Sequence, residues 1–297
     1  MKILIKSVLI FIAKTLAQFF FLAEKKIGYI FPVNMKFIFR EHLIKKIDSD
    51  IYVVKHKKNS NEIKFKLHTP NKICLIRSVT FSDKEPETLN WIDEFGDDGV
   101  LFDIGANIGI YSIYFALSKN GNVFSFEPSV FNLRQLAKNI SINNLENRIS
   151  IIPNPLSDNT TIANFINGSD DEGGALSAFG VDYGFDNKAI QSNIKYGLLG
   201  FTLDELFQKK ILKEFPTLIK IDVDGIEHKI LQGAKQTLKN PLCKSVLVEV
   251  NDNFDEQADG VLEIMLECGF RLVSKSHSEL FAKKSFANTY NQIWVKN

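Results

Sequence analysis

Two groups of residues in this 297-residue chain have the types and spacing for chemistry. The first is Asp103-Ile-Gly105-Ala-Asn107-Ile-Gly109, with Glu127 following 22 residues after Gly105. Glycines let backbone turn tightly and approach a ligand closely. The helix expected after them offers free N–H groups and a positive dipole end. An acid at the end of the next strand can accept both hydroxyls of a ribose. Together these read as a nucleoside-binding unit. A dinucleotide site needs G-x-G-x-x-G to admit a pyrophosphate. Here the spacing is G-x-x-x-G, and Asp103 beside the loop repels pyrophosphate and suits a cationic amino-acid tail. The second group is Asp222-Val-Asp224-Gly-Ile-Glu227, with Glu249 ending a neighbouring strand. Carboxylates this close raise one another's pKa, which favours one as a proton acceptor near neutrality. Asp222 is the expected base, and Asp224 is expected to orient a hydroxyl. No histidine completes an obvious metal site beside them, so no metal is expected.

The elements that must position these residues are legible as a rhythm of short apolar runs. Val100–Asp103 is a buried strand, Ile108–Ser118 a helix, and Val123–Glu127 a second strand. Phe131–Asn143 is amphipathic, with Leu133, Leu136, Ala137 and Ile140 at helical spacing. Ile149–Ile152, Leu218–Asp222 and Ser245–Val250 are further strands, the last two followed by helices through Ile226–Ala234 and Val261–Glu267. Phe270–Val273 and Gln292–Val295 close the pattern. Such alternation implies an α/β fold, a doubly wound and mostly parallel sheet with ligands beyond the strands' carboxyl ends. Ahead of it, Ile51–Val54 and Ile63–Leu67 flank a polar turn as a hairpin, and Thr88–Phe95 reads as a short helix. Three segments result: a leader with a helical extension (1–50), a hairpin and short helix (51–98) and a main domain (99–297). Residues 159–200 are rich in Asn, Ser, Asp and Gly and read as a long lid or insertion over an acceptor site. Thr202-Leu-Asp-Glu205 then has the form of a capping box. Trp91 and Trp294 read as core anchors, Lys220 as a structural residue at the sheet edge and His228 as a surface helix residue.

Apolar residues make up 45% and charged residues 24%, which excludes a disordered or disulfide-stapled chain. Cys74, Cys243 and Cys268 form no C-x-x-C pair and read as reduced thiols, so a cytoplasmic location is expected. The net charge of +1 conceals an asymmetry: residues 1–75 carry +10 and the remainder −9. An acidic body argues against nucleic acid as a partner. The basic leader is also apolar, through Val8–Ala13, Leu16 and Phe19–Ala23. Lys14 and Gln18 interrupt it, which disfavours a membrane span and a signal peptide. Ser7, Lys14, Gln18 and Lys25 cluster on one side of a helical wheel. That suits peripheral membrane contact through residues 1–26, with Lys2, Lys6, Lys25 and Lys26 at headgroups. Packing on the chain's own domain or on a second subunit is the alternative, and oligomeric state stays open.

The runs Val100–Ser112, Phe126-Glu-Pro128, Leu156-Ser-Asp158, Thr202-Leu-Asp204 and Ile219–Glu227 resemble the FkbM-type methyltransferases that use S-adenosylmethionine (SAM), as does Glu85-Pro-Glu-Thr88 before the core. The resemblance covers about residues 60–297. It implies the class I methyltransferase fold, a seven-stranded sheet with one antiparallel strand near an edge, and O-methylation of hydroxyls, often on sugars of glycans. By the same resemblance Asp103, Gly105, Asn107 and Gly109 hold the methionine end of SAM, Glu127 the ribose, and Asp158 the adenine amino group with Ser157 beside it. The chain departs from the family pattern at Asp224, where Glu is usual. Two other functions are weighed. A nicotinamide-dependent reductase is disfavoured by the missing third glycine and by Asp103. A non-catalytic, membrane-associated methyltransferase-fold protein is disfavoured by the joint presence of Asp103, Glu127 and Asp222.

Overall fold

The computed structural model describes residues 51–297 except 59, 60, 98, 193 and 278–285, and within the first fifty residues 11, 12, 14–16, 18, 19, 22, 23, 25, 26, 41, 42 and 44–50. The chain divides into two compact units, residues 1–50 and 51–297. In the first, the described residues between 11 and 26 are helical. Phe11, Phe19 and Leu22 are 70%, 65% and 62% exposed. No described helix is long and apolar enough to cross a membrane. Lys2, Lys6 and Ser7 of the expected polar side lie outside the described residues.

The second unit opens with the hairpin β1 (Ile51–Lys58) and β2 (Asn61–His68), then helices α1 (Lys72–Val79), α2 (Phe81–Lys84) and α3 (Pro86–Phe95). Asn71 starts α1 by accepting the Cys74 amide at 2.9 Å, and Pro86 begins α3, where its missing N–H leaves no bond unmade. The alternating part follows as β3 (Val100–Ile104), α4 (Ile110–Ser118), β4 (Asn122–Phe126), α5 (Val130–Ile142) and β5 (Ile149–Ile152). An insertion carries β6 (Thr161–Ile166), β7 (Ala178–Phe179) and β8 (Lys195–Gly200). After α6 (Leu203–Gln208) come β9 (Leu218–Ile221), α7 (Glu227–Gln232), α8 (Lys235–Lys239), β10 (Ser245–Asn251), α9 (Asp255–Glu267), β11 (Phe270–Ser276) and β12 (Thr289–Lys296).

Seven strands form one sheet in the order β11-β12-β10-β9-β3-β4-β5. β12 runs antiparallel to both neighbours, and the pairs from β10 to β5 are parallel. This is the sheet the resemblance implied. Strands β3 to β5 wind one way from β3, and β9 and β10 the other. The β3/β9 boundary is therefore the switch point beyond which ligands bind. Side chains alternate across the sheet. Leu101, Leu218, Leu247 and Ile293 face α3, α4, α5 and the hairpin. Phe102, Ile219, Val246 and Trp294 face α6, α7 and α9. Each such buried side chain contributes about 1.5–3 kcal/mol. Trp91 and Trp294 are core residues, and Trp91 Nε1 donates to Ser245 Oγ at 2.9 Å.

The 159–200 insertion folds as an antiparallel sheet in the order β7-β6-β8, with Phe165 and Phe179 in the main core. Two expectations change. Lys220 lies on the central strand β9 and is 1% exposed, not at an edge. His228 is buried, because Gly260 of α9 packs closely on its Cβ and Phe254 stands beside its ring. At Thr202 half of the capping box forms: Thr202 Oγ1 accepts the Glu205 amide at 3.0 Å, while Glu205 pairs with Lys209.

Candidate active site

The site grows from the end of β3. The amides of Gly105 and Ala106 both donate to the Phe126 carbonyl at 3.0 Å, which folds the chain back on β4. Gly105 has φ +84°, and a Cβ there would run into the Asp222 carbonyl. Gly109, at φ +81°, precedes α4 against Leu136. Asn107 stands at the apex with φ +53°. Its amide donates to Glu127 Oε2 at 2.7 Å, and the Ser129 amide donates to Glu127 Oε1 at 2.8 Å. Burial pushes the Glu127 carboxyl up to about 7 despite these donors. Asp103 is buried one turn below. Its Oδ2 accepts from Ser112 Oγ at 2.6 Å, while its Oδ1 has no partner among the described residues. Burial raises its pKa, against the pull of Lys220.

Beside this turn, β9 delivers a row of charges. Lys220 Nζ meets Asp222 Oδ2 at 2.8 Å and lies 5.3 Å from the centre of the Tyr111 ring. Burial alone would lower the Lys220 pKa, but Asp222, Asp103 and Glu85 outweigh it and raise it. On Glu85, burial is likewise outweighed, by Lys84 and Lys220, which hold it at about 2. The turn after β9 places Asp224 in the left-handed region at φ +66°, a strained conformation for a non-glycine residue. Its Oδ2 accepts the amides of Leu176 at 2.6 Å and Ser177 at 3.3 Å. Burial, and then the charge of Asp222, push its carboxyl up to about 6. Glu227 is fully buried and braces this turn by accepting the Val223 amide at 2.9 Å and by pairing with Gln257. Glu249 at the end of β10 completes the row. Oxygens of Asp222, Asp224 and Glu249 lie within 4.8 Å of one another.

These carboxylates open into a cavity of about 440 Å³. Glu85 and Glu87 from the start of α3, Arg77 of α1 and Asn291 of β12 wall it. A narrow slot of about 70 Å³ runs past Glu127, Pro128 and Asn132, and an apolar cleft between Phe126, Leu156, Phe179 and Val223 lies next to it. Gly105, Asn107, Gly174, Asp222 and Asp224 line both cavity and slot. The structure therefore gathers Asp103, Gly105, Asn107, Gly109, Glu127, Asp222 and Asp224 at the switch point. Ser157 and Asp158, like Asp103 and Gly109, line neither the slot nor the cleft; Ser157 Oγ donates to Asp158 Oδ1 at 3.2 Å, and Asp158 is exposed. Sequence reasoning did not place Arg77, Glu87 or Asn291. The Asn71 cap could have revealed α1 and with it Arg77. The Glu85-Pro-Glu-Thr88 run carried two of the wall residues without saying where they sit.

The methyltransferase FkbM domain model matches residues 103–272, more than half of the chain and all of the residues just described except the walls of the cavity. The protein belongs to the FkbM methyltransferase family. Among solved structures it is similar to the FkbM methyltransferase of Methylobacillus flagellatus KT, with 16% identity and a TM-score of 0.44 over 67% of this chain and 44% of that one. It is also similar to a precorrin-6y C5,15-methyltransferase of Geobacter metallireducens GS-15, with 14% identity and a TM-score of 0.42 over 71% and 87% of the two chains. A tRNA methyltransferase of M. jannaschii aligns with 13% identity and a TM-score of 0.45 over 82% and 55%. This FkbM-family chain spans less than half the length of the first of these. A comparison with curated proteins found no match.

Proposed function

We propose that the protein transfers a methyl group from SAM to a hydroxyl of a sugar or related polyol. The observation that carries this reading is the continuity of slot and cavity through Gly105, Asn107, Gly174, Asp222 and Asp224. A donor held on one side of these residues faces an acceptor on the other, and alignment of reacting groups is the largest service such a site performs. The residues fit SAM. The unpartnered Asp103 Oδ1 and its neighbours suit a cationic amino-acid end, Glu127 suits ribose hydroxyls, and the apolar cleft suits the flat face of adenine. When bound, SAM supplies an electrophilic methyl group on a sulfonium. The chain's own residues orient the acceptor hydroxyl, remove its proton and exclude water. A cavity walled by Glu85, Glu87, Arg77 and Asn291 offers many hydrogen-bonding groups beside the apolar Ile73, Leu176 and Phe286, which suits the hydroxyls and the carbon faces of a sugar ring. The exposed Phe11, Phe19 and Leu22, with Lys14, Lys25 and Lys26 beside them, support a leader that lies in a membrane interface and brings the enzyme to lipid-linked acceptors.

Calorimetric titration with S-adenosylhomocysteine, NADH and NADPH tests the cofactor. The expected result is binding of S-adenosylhomocysteine alone, weakened about tenfold or more by Glu127→Gln through loss of a charge-assisted hydrogen bond. Binding of a nicotinamide instead turns the reading to a reductase, and silence from all three points to a non-catalytic protein.

A further inference from the structure

We propose that Glu249 is the general base of this transfer, while Asp222, clamped by Lys220, holds the acceptor hydroxyl in place. The inference rests on the methyl-transfer reading above. Asp222, Asp224 and Glu249 stand together where β9 and β10 end, and their surroundings separate their tasks. Asp222 accepts from the buried Lys220 ammonium at 2.8 Å. An ion pair of this kind holds a carboxylate oxygen in place and occupies it, which suits an orienting acceptor. Asp224 is tied to the amides of Leu176 and Ser177 and so to the insertion. Glu249 faces the cavity with no hydrogen bond or ion pair to any described residue. Asn291 stands directly opposite it on β12, yet turns its Nδ2 to Glu87 at 2.8 Å. Of the three, Glu249 alone has no partner for either oxygen among the described residues, and it has two carboxylates beside it, the setting that gives a carboxylate the greatest affinity for a proton. Burial, and then Asp222 and Asp224, hold its carboxyl well above the usual range.

In the step, the acceptor O–H bond breaks and its proton passes to a Glu249 Oε. The oxygen's electron pair forms the new bond to the methyl carbon, and the C–S bond breaks with its pair going to sulfur. The positive charge on sulfur and the negative charge on Glu249 are both lost, and the carboxylic acid then returns its proton to water.

The test uses the full chain, as wild type and as Glu249→Gln, saturated with S-adenosylhomocysteine. Calorimetry comes first, with equal affinity expected for both proteins. Infrared absorption of carboxylic acids is then followed across pH. In the wild-type-minus-variant difference spectrum we expect one carboxyl band titrating well above the usual carboxylate range, while the bands of Glu127, Glu227 and Asp224 are common to both proteins. With radiolabelled SAM and a panel of methyl glycosides, kcat in the variant falls by roughly 10²–10⁴, KM for SAM is unchanged, and the acid limb of the pH profile disappears. A difference spectrum without a carboxyl band, or a variant that keeps the acid limb, overturns the assignment while leaving the cofactor reading intact. A band that emerges only after EDTA treatment also overturns it, because the three carboxylates were then holding a cation. Failure of the wild type to bind S-adenosylhomocysteine overturns the methyl-transfer reading and this inference with it.

Discussion

Buried carboxyls at this site set how the protein responds to pH. Glu127 and Glu227 rise from 4.5 to about 7 on folding, and Asp224 rises from 3.8 to about 6, burial being the first cause in each. A raised folded-state pKa means the folded chain holds a proton the unfolded chain has released. These groups therefore stabilise fully below their unfolded pKa values and lose that contribution as pH climbs through about 6 to 7. Glu85 acts the other way: held at about 2, it stabilises above 4.5 and loses this as pH falls toward 2. The thermal midpoint is thus expected to peak at about pH 4 and to decline on both sides. Melts that show a midpoint rising steadily to about pH 8 would contradict this. Asp103, Glu127 and Asp222 were legible in the sequence because each ends a short apolar run at a telling distance from a glycine. The freedom of Glu249 was not, because it depends on Asn291 being drawn to Glu87, 204 residues earlier in the chain.

At the level of elements, the segment between β6 and β7 works as a strap. The Gly174 carbonyl accepts from Asn107 Nδ2 at 2.7 Å and from Asn132 Nδ2 at 3.1 Å, and Asn132 Oδ1 accepts the Gly173 amide at 2.9 Å. Arg77 Nε donates to the Gly173 carbonyl at 2.7 Å, and Arg134 pairs with Glu172. The slot beneath is about 70 Å³, against roughly 300–1,000 Å³ for pockets that hold drug-sized ligands. On the proposed reading, the strap draws back to admit the nucleoside. Asn132→Ala is therefore expected to speed both association and dissociation of S-adenosylhomocysteine by roughly two- to tenfold, the worth of one or two hydrogen bonds. Stopped-flow binding measures this, and unchanged rates would mean the strap is not what limits entry. The parallel strands were easy to read because burial on both faces gives them near-continuous apolar runs. Strands β6 to β8 were hidden because the connection around them is polar, and Phe165 and Phe179 are its buried anchors in the core cluster, with Ala163, Tyr196 and Leu198 packed partly against it.

For the whole molecule, the division of charge matters more than its sum. Residues 1–75 carry +10 and the rest −9, and exposed apolar side chains sit among the leader's lysines. The full chain is expected to float with vesicles containing anionic lipid, and a chain beginning at Tyr29 is expected to stay behind. Added salt should weaken flotation, since headgroup attraction is screened within about 10 Å at 0.1 M. Equal flotation of the two chains would remove the membrane from the proposal. The sequence showed this asymmetry at once, but the order of the sheet needed the structure, because β12 inserts between β10 and β11. That insertion bears on how the protein is made. Until residues 289–296 have been synthesised, β10 keeps a bare edge, β11 has no partner and Trp294 is absent from the core. Asn291 is also missing from the cavity wall until then. A nascent chain can assemble β3, β4, β5 and β9 early, but it carries an open and aggregation-prone edge until β12 emerges. Chaperone demand should therefore be concentrated in the interval before β12 is made, and a ribosome stalled there should display a protein with its glycine turn formed and its cavity wall unfinished.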